Sequence, residues 1–410
     1  MSGERVPLTP AQALAAELHQ PGGRIVLVVA DGLGGLPVEP GGKTELETAA
    51  TPNLDRLAAE GAVGLSVPVA PGITPGSGVG HLALFGYDPV ATPVGRGVLE
   101  ALGIGMEVGP GDVAVRGNFC TLAADGTVAD RRAGRIPTEE NRRLVEKLRP
   151  VLRAEGVEVT LEPVRDYRVA LRLRGPGLGD RVEDTDPERT GVPPLEPRGE
   201  DGPSRRTAGV AAALLGQARE ALEDEHPANF LLLRGFSRLP HFVPMDEAYG
   251  LKGAALALYP TYRGLARLVG MTVVEEVTTV EEQTAALRRL WGGYDFFFVH
   301  HKPTDSTGED GAFQRKVQAI EALDAALPAI LALEPDVLVV TGDHSTPSRM
   351  KSHSFHPVPL LLWAPATVLP DEVTAFGERA CIRGGLGRLR AAEVMPLALA
   401  HAGRLKKYGA

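Results

Sequence analysis

Cysteine is nearly missing from this chain of 410 residues: only Cys120 and Cys381 occur. They are far apart and lack CxxC spacing, which excludes a disulfide framework and a thiolate zinc site. Such usage fits a reducing cytoplasm. Long apolar runs are missing as well, none approaching the roughly 20 residues that span a bilayer, so no membrane host is expected. The opening segment, MSGERVPLTPAQALAAELHQ, is polar and lacks the apolar centre of a secretory signal, so export is not expected. Basic residues are in deficit, 43 Lys and Arg against 52 Asp and Glu for a net charge of −9. That balance argues against general nucleic-acid affinity, which needs a basic surface to displace phosphate counterions. An anionic ligand must instead be met by local arginines.

What is present describes an ordinary globular protein of about two domains, with 43% hydrophobic and 23% charged residues. Strand-like RIVLVVA, residues 24–30, ends at Asp31-Gly32, and Thr51-Pro52 opens a helix with Thr51 as N-cap. From about residue 89 to 244 the character changes, and the stretch 175–206 is rich in Pro, Gly and charge, as expected of a lid, hinge or linker. After Gly250 strands and helices alternate again: helix 260–269, strand 272–274, helix 280–291, strand 295–300, helix 311–333, and strands 337–340 and 358–363. That rhythm predicts an α/β fold with a mainly parallel sheet. The expected organisation is one discontinuous domain, residues 1–88 with 250–410, and a smaller α/β domain inserted at 89–249. Acids at strand ends occur in both outer segments, and a shared site requires those segments to fold together.

The strongest chemical signal is DVLVVTGDHSTP, residues 336–347, where an apolar run stops at Asp343-His344. In open α/β sheets ligands collect beyond the carboxyl ends of strands, and neither side chain tolerates burial unless paired or bound to a metal. Asp31 ends the first strand, Asp305 follows the strand 295–300 in HHKPTDSTGEDG, and His353 lies in KSHSFHPVPLLLW. Several carboxylates at neighbouring strand ends repel one another unless cations hold them, and two divalent ions suit displacement at phosphorus. A nucleophile is available in APGITPGSGVGH, residues 70–81, where glycines place Ser77 just ahead of a helical pattern. The loop lacks a GK[ST] ending and G-x-G-x-x-G spacing, so an ATP cradle is not supported.

In chain order, ETAATPNLDRLA, TPGSGVGHLALFGYDP, RGNFCTL with ADRRAGRI, EDTDP, GLK, YPTYRGLARLVGM, KPTDSTGEDG, TGDHSTP and RGGLGRLR resemble the archaeal-type cofactor-independent phosphoglycerate mutases of the alkaline phosphatase superfamily. The resemblance implies an alkaline-phosphatase-like α/β sandwich and Ser77 as a phosphoserine nucleophile. It implies one metal held by Asp31, Ser77, Asp343 and His344, and a second held by Asp305, the residue four positions on, and His353. Manganese is the usual metal of related enzymes, with magnesium, zinc and cobalt as alternatives, and 2,3-bisphosphoglycerate is not required. The chain departs from the pattern at Glu309, where the family has histidine. Glu309 or its neighbour Asp310 then stands as the ligand, and an added carboxylate favours harder ions. His356 competes with His353 for the last ligand position, while His81 is expected at the site entrance or as a helix cap.

A phosphorylated carboxylic acid needs guanidinium partners. Arg131, Arg132 and Arg135, beside Asp130, are the first candidates, with Arg168 and Lys252 behind them and Asp130 as a base for the acceptor hydroxyl. The expected activity is interconversion of 3- and 2-phosphoglycerate in glycolysis and gluconeogenesis, with small-molecule substrate as partner and a homo-oligomer left open. The rivals are a homoserine-kinase-like protein or phosphatase on the same scaffold, and a structural or regulatory protein with a decayed metal site.

Overall fold

The strongest apolar runs of the two outer segments become neighbouring strands of one sheet. The computed structural model describes residues 6–91, 94–275, 277 and 279–409. Two compact units divide the chain, one formed by Val6–Pro93 with Phe242–Ala410 and the other by Val94–His241. In chain order the strands are β1 (Ile25–Ala30), β2 (Ala62–Val67), β3 (Val113–Leu122), β4 (Val128–Asp130), β5 (Glu158–Arg165), β6 (Arg168–Arg174) and β7 (Phe230–Ser237). They continue as β8 (Gly253–Leu256), β9 (Thr272–Val273), β10 (Phe296–His301), β11 (Val337–Thr341), β12 (Val358–Trp363) and β13 (Gly387–Arg390).

The outer unit holds an eight-stranded sheet in the order β13-β2-β12-β11-β1-β10-β8-β9. From β11 to β9 every pair is parallel, and β12 alone runs against its neighbours β11 and β2. The reversal follows from the connection: residues 342–357 contain no crossover helix, and only a crossover can return a strand in parallel. All residues of β1, β10 and β11 are buried, as continuous apolar runs of a sheet covered on both faces should be. Pairing sets Ala30 opposite His301 and Val29 opposite Thr341. Asp31, Lys302 and the Gly342-Asp343 turn therefore leave the sheet side by side at its carboxyl end.

The inner unit is an antiparallel sheet in which β3 pairs with β4, β6 and β7, and β5 pairs with β6. It has its own apolar core, shared with the helices Thr138–Leu148 and Gly202–Ala221. The polar stretch before the second of these helices lies wholly inside this unit and is stitched to β7. Leu233 N–H donates to Thr185 Oγ1 at 2.8 Å, and Arg131 and Arg234 pair with the buried Asp186. It is not a connection between units, because the chain passes between them at 93/94 and 241/242.

Two local expectations change. The helix placed at 311–333 is Phe313–Leu331, preceded by a separate short helix, Pro303–Glu309, which starts on a proline and carries Asp305 in its first turn. The helix Pro52–Glu60 begins after Thr51, but the Thr51 side chain makes no cap. Asp324, from the helix Phe313–Leu331, does so instead, accepting from the N–H groups of Asn53 at 3.3 Å and Leu54 at 2.8 Å. The same helix carries Lys316, fully buried, whose ammonium donates to the carbonyls of Gly32 (2.8 Å), Gly34 (3.0 Å) and Thr346 (2.7 Å). Burial pushes this ammonium below the usual lysine range. One internal cation thus fastens the loop after β1 to the loop after β11.

His301, the last residue of β10, is buried with its Nε2 2.9 Å from the Ala319 carbonyl, and burial pushes it down to about 4 from the ordinary 6.5. A depressed histidine contributes stability that is fully present above pH 6.5 and is lost as pH falls toward 4. The expected loss across that window is on the order of 2–3 kcal/mol. His301→Gln keeps a donor for Ala319 and should flatten the acid limb; chemical denaturation of both proteins at several pH values checks this.

Candidate metal centre

The turn after β1 is built to bring carboxylates together. Gly32 has a left-handed φ of +64°, and a Cβ there would lie 2.5 Å from Thr346 Oγ1 and 2.9 Å from Asp305 Oδ1, so a side chain is excluded on two counts. Gly32 N–H donates to Asp343 Oδ1 at 3.1 Å. Gly80 plays the matching part in the helix Ser77–Leu84: a Cβ there would come within 2.3 Å of the Asp343 carbonyl. Its absence lets that helix lie against the Asp343 turn.

Four of the residues named from the sequence converge. Ser77 Oγ is 3.1 Å from His344 Nε2, which in turn lies 3.4 Å from Asp31 Oδ1 and 3.2 Å from Asp343 Oδ2. Asp31, Asp343 and His344 have no measurable exposure, whereas Ser77 is partly open. A second group holds Asp305 and His353, with His353 Nε2 3.6 Å from Asp305 Oδ1 and 3.8 Å from Glu309 Oε1. The His344 and His353 rings stack at 3.6 Å, so the two groups adjoin through the histidines. Asp310 points elsewhere, to Arg315 at 3.0 Å, and His356 contacts Ser354 and Phe355. Of the alternatives left open by the sequence, Glu309 and His353 are the ones beside the cluster.

Tautomers follow from the partners. The Thr346 hydroxyl gives its one proton to Asp305 Oδ1 at 2.7 Å and must then accept from His344 Nδ1 at 2.9 Å, leaving a lone pair on His344 Nε2. His353 Nδ1–H donates to the Pro75 carbonyl at 3.0 Å, so Nε2 is the nitrogen turned toward Asp305 and Glu309. Among the described residues, Asp31 Oδ1 and Asp343 Oδ2 are buried without a hydrogen-bond partner. Lone pairs from two carboxylates and an imidazole therefore face one another out of water, an arrangement that repels itself unless a cation lies among them. Two triads, Asp31 with Asp343 and His344, and Asp305 with His344 and His353, have ligand atoms close enough to share an ion, and a third such group is Asp31 with His81 and His300. The donor set fits a divalent metal.

Burial alone would raise the Asp31 carboxyl, but the Lys302 ammonium and the hydrogen bond from His300 outweigh it and hold Asp31 well below the usual carboxylate range. Lys302 Nζ lies 3.3 Å from Asp31 Oδ2, 2.6 Å from Asp305 Oδ2 and 2.8 Å from the Tyr262 hydroxyl. Burial, and then the Asp305 charge, push Glu309 above its ordinary value. Lys302, His300, Thr346 and Tyr262 were not found from the sequence. The polar run His300-His301-Lys302, where an apolar strand stops, carried the same signal as Asp343-His344. His81 is not at an entrance: it has no exposure, its Nδ1–H donates to the Ser77 carbonyl at 2.8 Å, and that nitrogen lies 3.1 Å from Asp343 Oδ2.

The candidate substrate residues are placed differently. Lys252 immediately precedes β8, at the end of the parallel strands opposite to Asp31 and Asp305, with its ammonium 4.8 Å from the Tyr294 ring centroid. It has no place in this cluster. Asp130, Arg131, Arg132, Arg135 and Arg168 belong to the inner unit. Arg131 is committed to Asp186 through two bonds of 2.7 and 2.8 Å, and the Asp130 carboxylate clamps a turn through the N–H groups of Arg132 and Gly134. Arg168 lies 3.8 Å from the buried Glu100, and Arg132 and Arg135 are exposed.

Residues 58–229 match the family model of 2,3-bisphosphoglycerate-independent phosphoglycerate mutase. A Thermus thermophilus protein described as a probable 2,3-bisphosphoglycerate-independent phosphoglycerate mutase is 56% identical over 391 residues, covering 94% of this chain and 96% of its own. A Thermotoga maritima protein of the same description is 51% identical over 389 residues, with 94% and 96% covered. Among solved structures, the cofactor-independent phosphoglycerate mutase of Thermoplasma acidophilum is 32% identical with a TM-score of 0.69, covering 93% of this chain and 100% of that one. A Pyrococcus horikoshii protein of 32% identity superposes with a TM-score of 0.81 over 95% of this chain and 100% of its own. Identity of this level over nearly the full length is decisive: the chain belongs to the 2,3-bisphosphoglycerate-independent phosphoglycerate mutases, a family of isomerases.

Proposed function

We propose that this chain interconverts 3-phosphoglycerate and 2-phosphoglycerate through a phosphorylated Ser77, with two divalent ions and no bisphosphoglycerate, as a step of glycolysis and gluconeogenesis. The observation that carries the reading is the partly open Ser77 hydroxyl, 3.1 Å from His344 Nε2 and beside two buried carboxylate oxygens that lack partners. One ion would be held by Asp31, Asp343, His344 and Ser77, the other by Asp305, Glu309 and His353, and bound ions would acidify the serine hydroxyl and neutralise phosphate charge. A donor set this rich in carboxylate favours Mn²⁺ or Mg²⁺ over softer choices.

Ser77 Oγ attacks phosphorus, the bond from phosphorus to O3 of the substrate breaks, and the proton given up by the serine hydroxyl ends on O3. The glycerate then turns, its O2 hydroxyl attacks the phosphoserine, and the bond from Ser77 Oγ to phosphorus breaks as the proton of O2 returns to Ser77 Oγ. Ser77 is the first residue of the helix Ser77–Leu84, so its phosphate would meet first-turn N–H groups that have no acceptor within the helix. In this reading the inner unit, Val94–His241, is the substrate-binding unit, with Arg132, Arg135 and Arg168 for the anionic groups of glycerate. Water has to stay out while glycerate turns, since otherwise hydrolysis of the phosphoserine wins.

Ser77→Ala should lower transfer at least roughly 1000-fold while leaving the fold intact; turnover near that of the wild type would refute the serine pathway. In Glu309→Ala the count of tightly bound ions, measured by elemental analysis after gel filtration, should fall from two to one per chain. Retention of both would remove Glu309 from the ligand set.

A further inference from the structure

His300, one residue before the end of β10, has no part in the chemistry above, yet its ring is wholly enclosed beside Asp31. It has no exposure, stacks on Tyr262 at 3.8 Å between centroids, and has Phe298 and His81 at 5.8 and 5.2 Å. Its carbonyl is pinned by Gln283 Nε2 at 2.8 Å. Among the described residues the ring has one hydrogen-bond partner: Nε2 lies 3.0 Å from Asp31 Oδ2, and Nδ1 has none. An imidazolium would leave a second N–H buried without an acceptor, so the ring is neutral with its proton on Nε2. Asp31 therefore has Oδ2 occupied by His300 and by Lys302 at 3.3 Å, while Oδ1, facing His344 Nε2 at 3.4 Å, is left without a partner.

We propose that His300 is a positioning residue for Asp31: its Nε2–H holds Oδ2, fixes the rotation of the carboxylate, and so selects Oδ1 as the oxygen offered to a divalent ion, with Tyr262 holding the imidazole in the required plane. The inference rests on the proposed role of Asp31 as a metal ligand. Groups that orient a ligating side chain matter because an ion gains little from a donor free to rotate away.

The test is Mn²⁺ titration of the full-length, metal-stripped chain, followed by electron paramagnetic resonance of the free ion, for wild type, Asp31→Asn, His300→Phe and His300→Gln. Phenylalanine keeps the stacked ring and removes the donor, whereas the glutamine amide nitrogen reaches the position of Nε2. Asp31→Asn identifies which dissociation constant reports on this site. In His300→Phe that same constant should rise roughly 10- to 100-fold, the other should stay unchanged, and His300→Gln should recover most of the loss. Wild-type constants in His300→Phe, or equal losses in the Phe and Gln variants, would overturn the positioning role and leave the metal reading standing. If Asp31→Asn binds both ions as wild type does, the ligand role of Asp31 fails and the inference fails with it.

Discussion

Everything in the outer unit depends on one electrostatic constraint: Asp31, Asp343 and Asp305 are held out of water at the ends of adjacent parallel strands, with one ammonium, that of Lys302, reaching two of them. Charges at such spacing in a low-dielectric setting cannot persist uncompensated. The surrounding structure is arranged as an answer to that surplus. Gly32 donates its N–H to Asp343, His300 donates to Asp31, and Thr346 donates to Asp305 while orienting His344. Lys316 uses its own buried charge to clamp the two loops that carry these groups, taking backbone carbonyls rather than carboxylates as partners. What remains unpaired among the described residues is Asp31 Oδ1 and Asp343 Oδ2, beside His344 Nε2, and that surplus of negative character is what a divalent ion would complete.

The parallel sheet makes this possible by register. Because Ala30 pairs with His301 and Val29 with Thr341, the first polar residues after three apolar strands emerge at one edge, whatever their separation along the chain. Ser77 arrives from a helix allowed close by Gly80, and it stays partly open where the carboxylates are closed. The Ser77 hydroxyl is thereby left partly open, while the carboxylates of Asp31 and Asp343 remain under the surface.

Much of this arrangement was legible in the sequence, and the reason is periodicity. Continuous apolar strands that stop at an acid announce a buried parallel strand with a polar end, and that alone located Asp31, Asp305 and the Asp343-His344 pair. The sequence already favoured His353 by its spacing to Pro357 and Glu309 by its position four residues after Asp305; that Asp310 and His356 turn to other partners took coordinates, because neighbours in sequence on a helix or loop point in different directions. Lys252 reads as a plausible anion contact but sits at the wrong end of its strand, a distinction that depends on which way the strand runs. Arg131 reads as a substrate ligand yet is committed to Asp186, and nothing local to ADRRAGRI reveals a partner more than fifty residues away. The same holds for Asp324 capping the helix after Thr51: long-range caps leave no mark beside the helix they serve.

The central claim is that the serine and its ion-ready cradle move a phosphoryl group within one substrate rather than releasing it to water. Incubation with 3-phosphoglycerate and Mn²⁺, in the absence of bisphosphoglycerate, reads this directly when 2-phosphoglycerate and free phosphate are measured together. The account predicts 2-phosphoglycerate as the main product with little free phosphate. Free phosphate as the main product, or no conversion with any divalent ion, would contradict it.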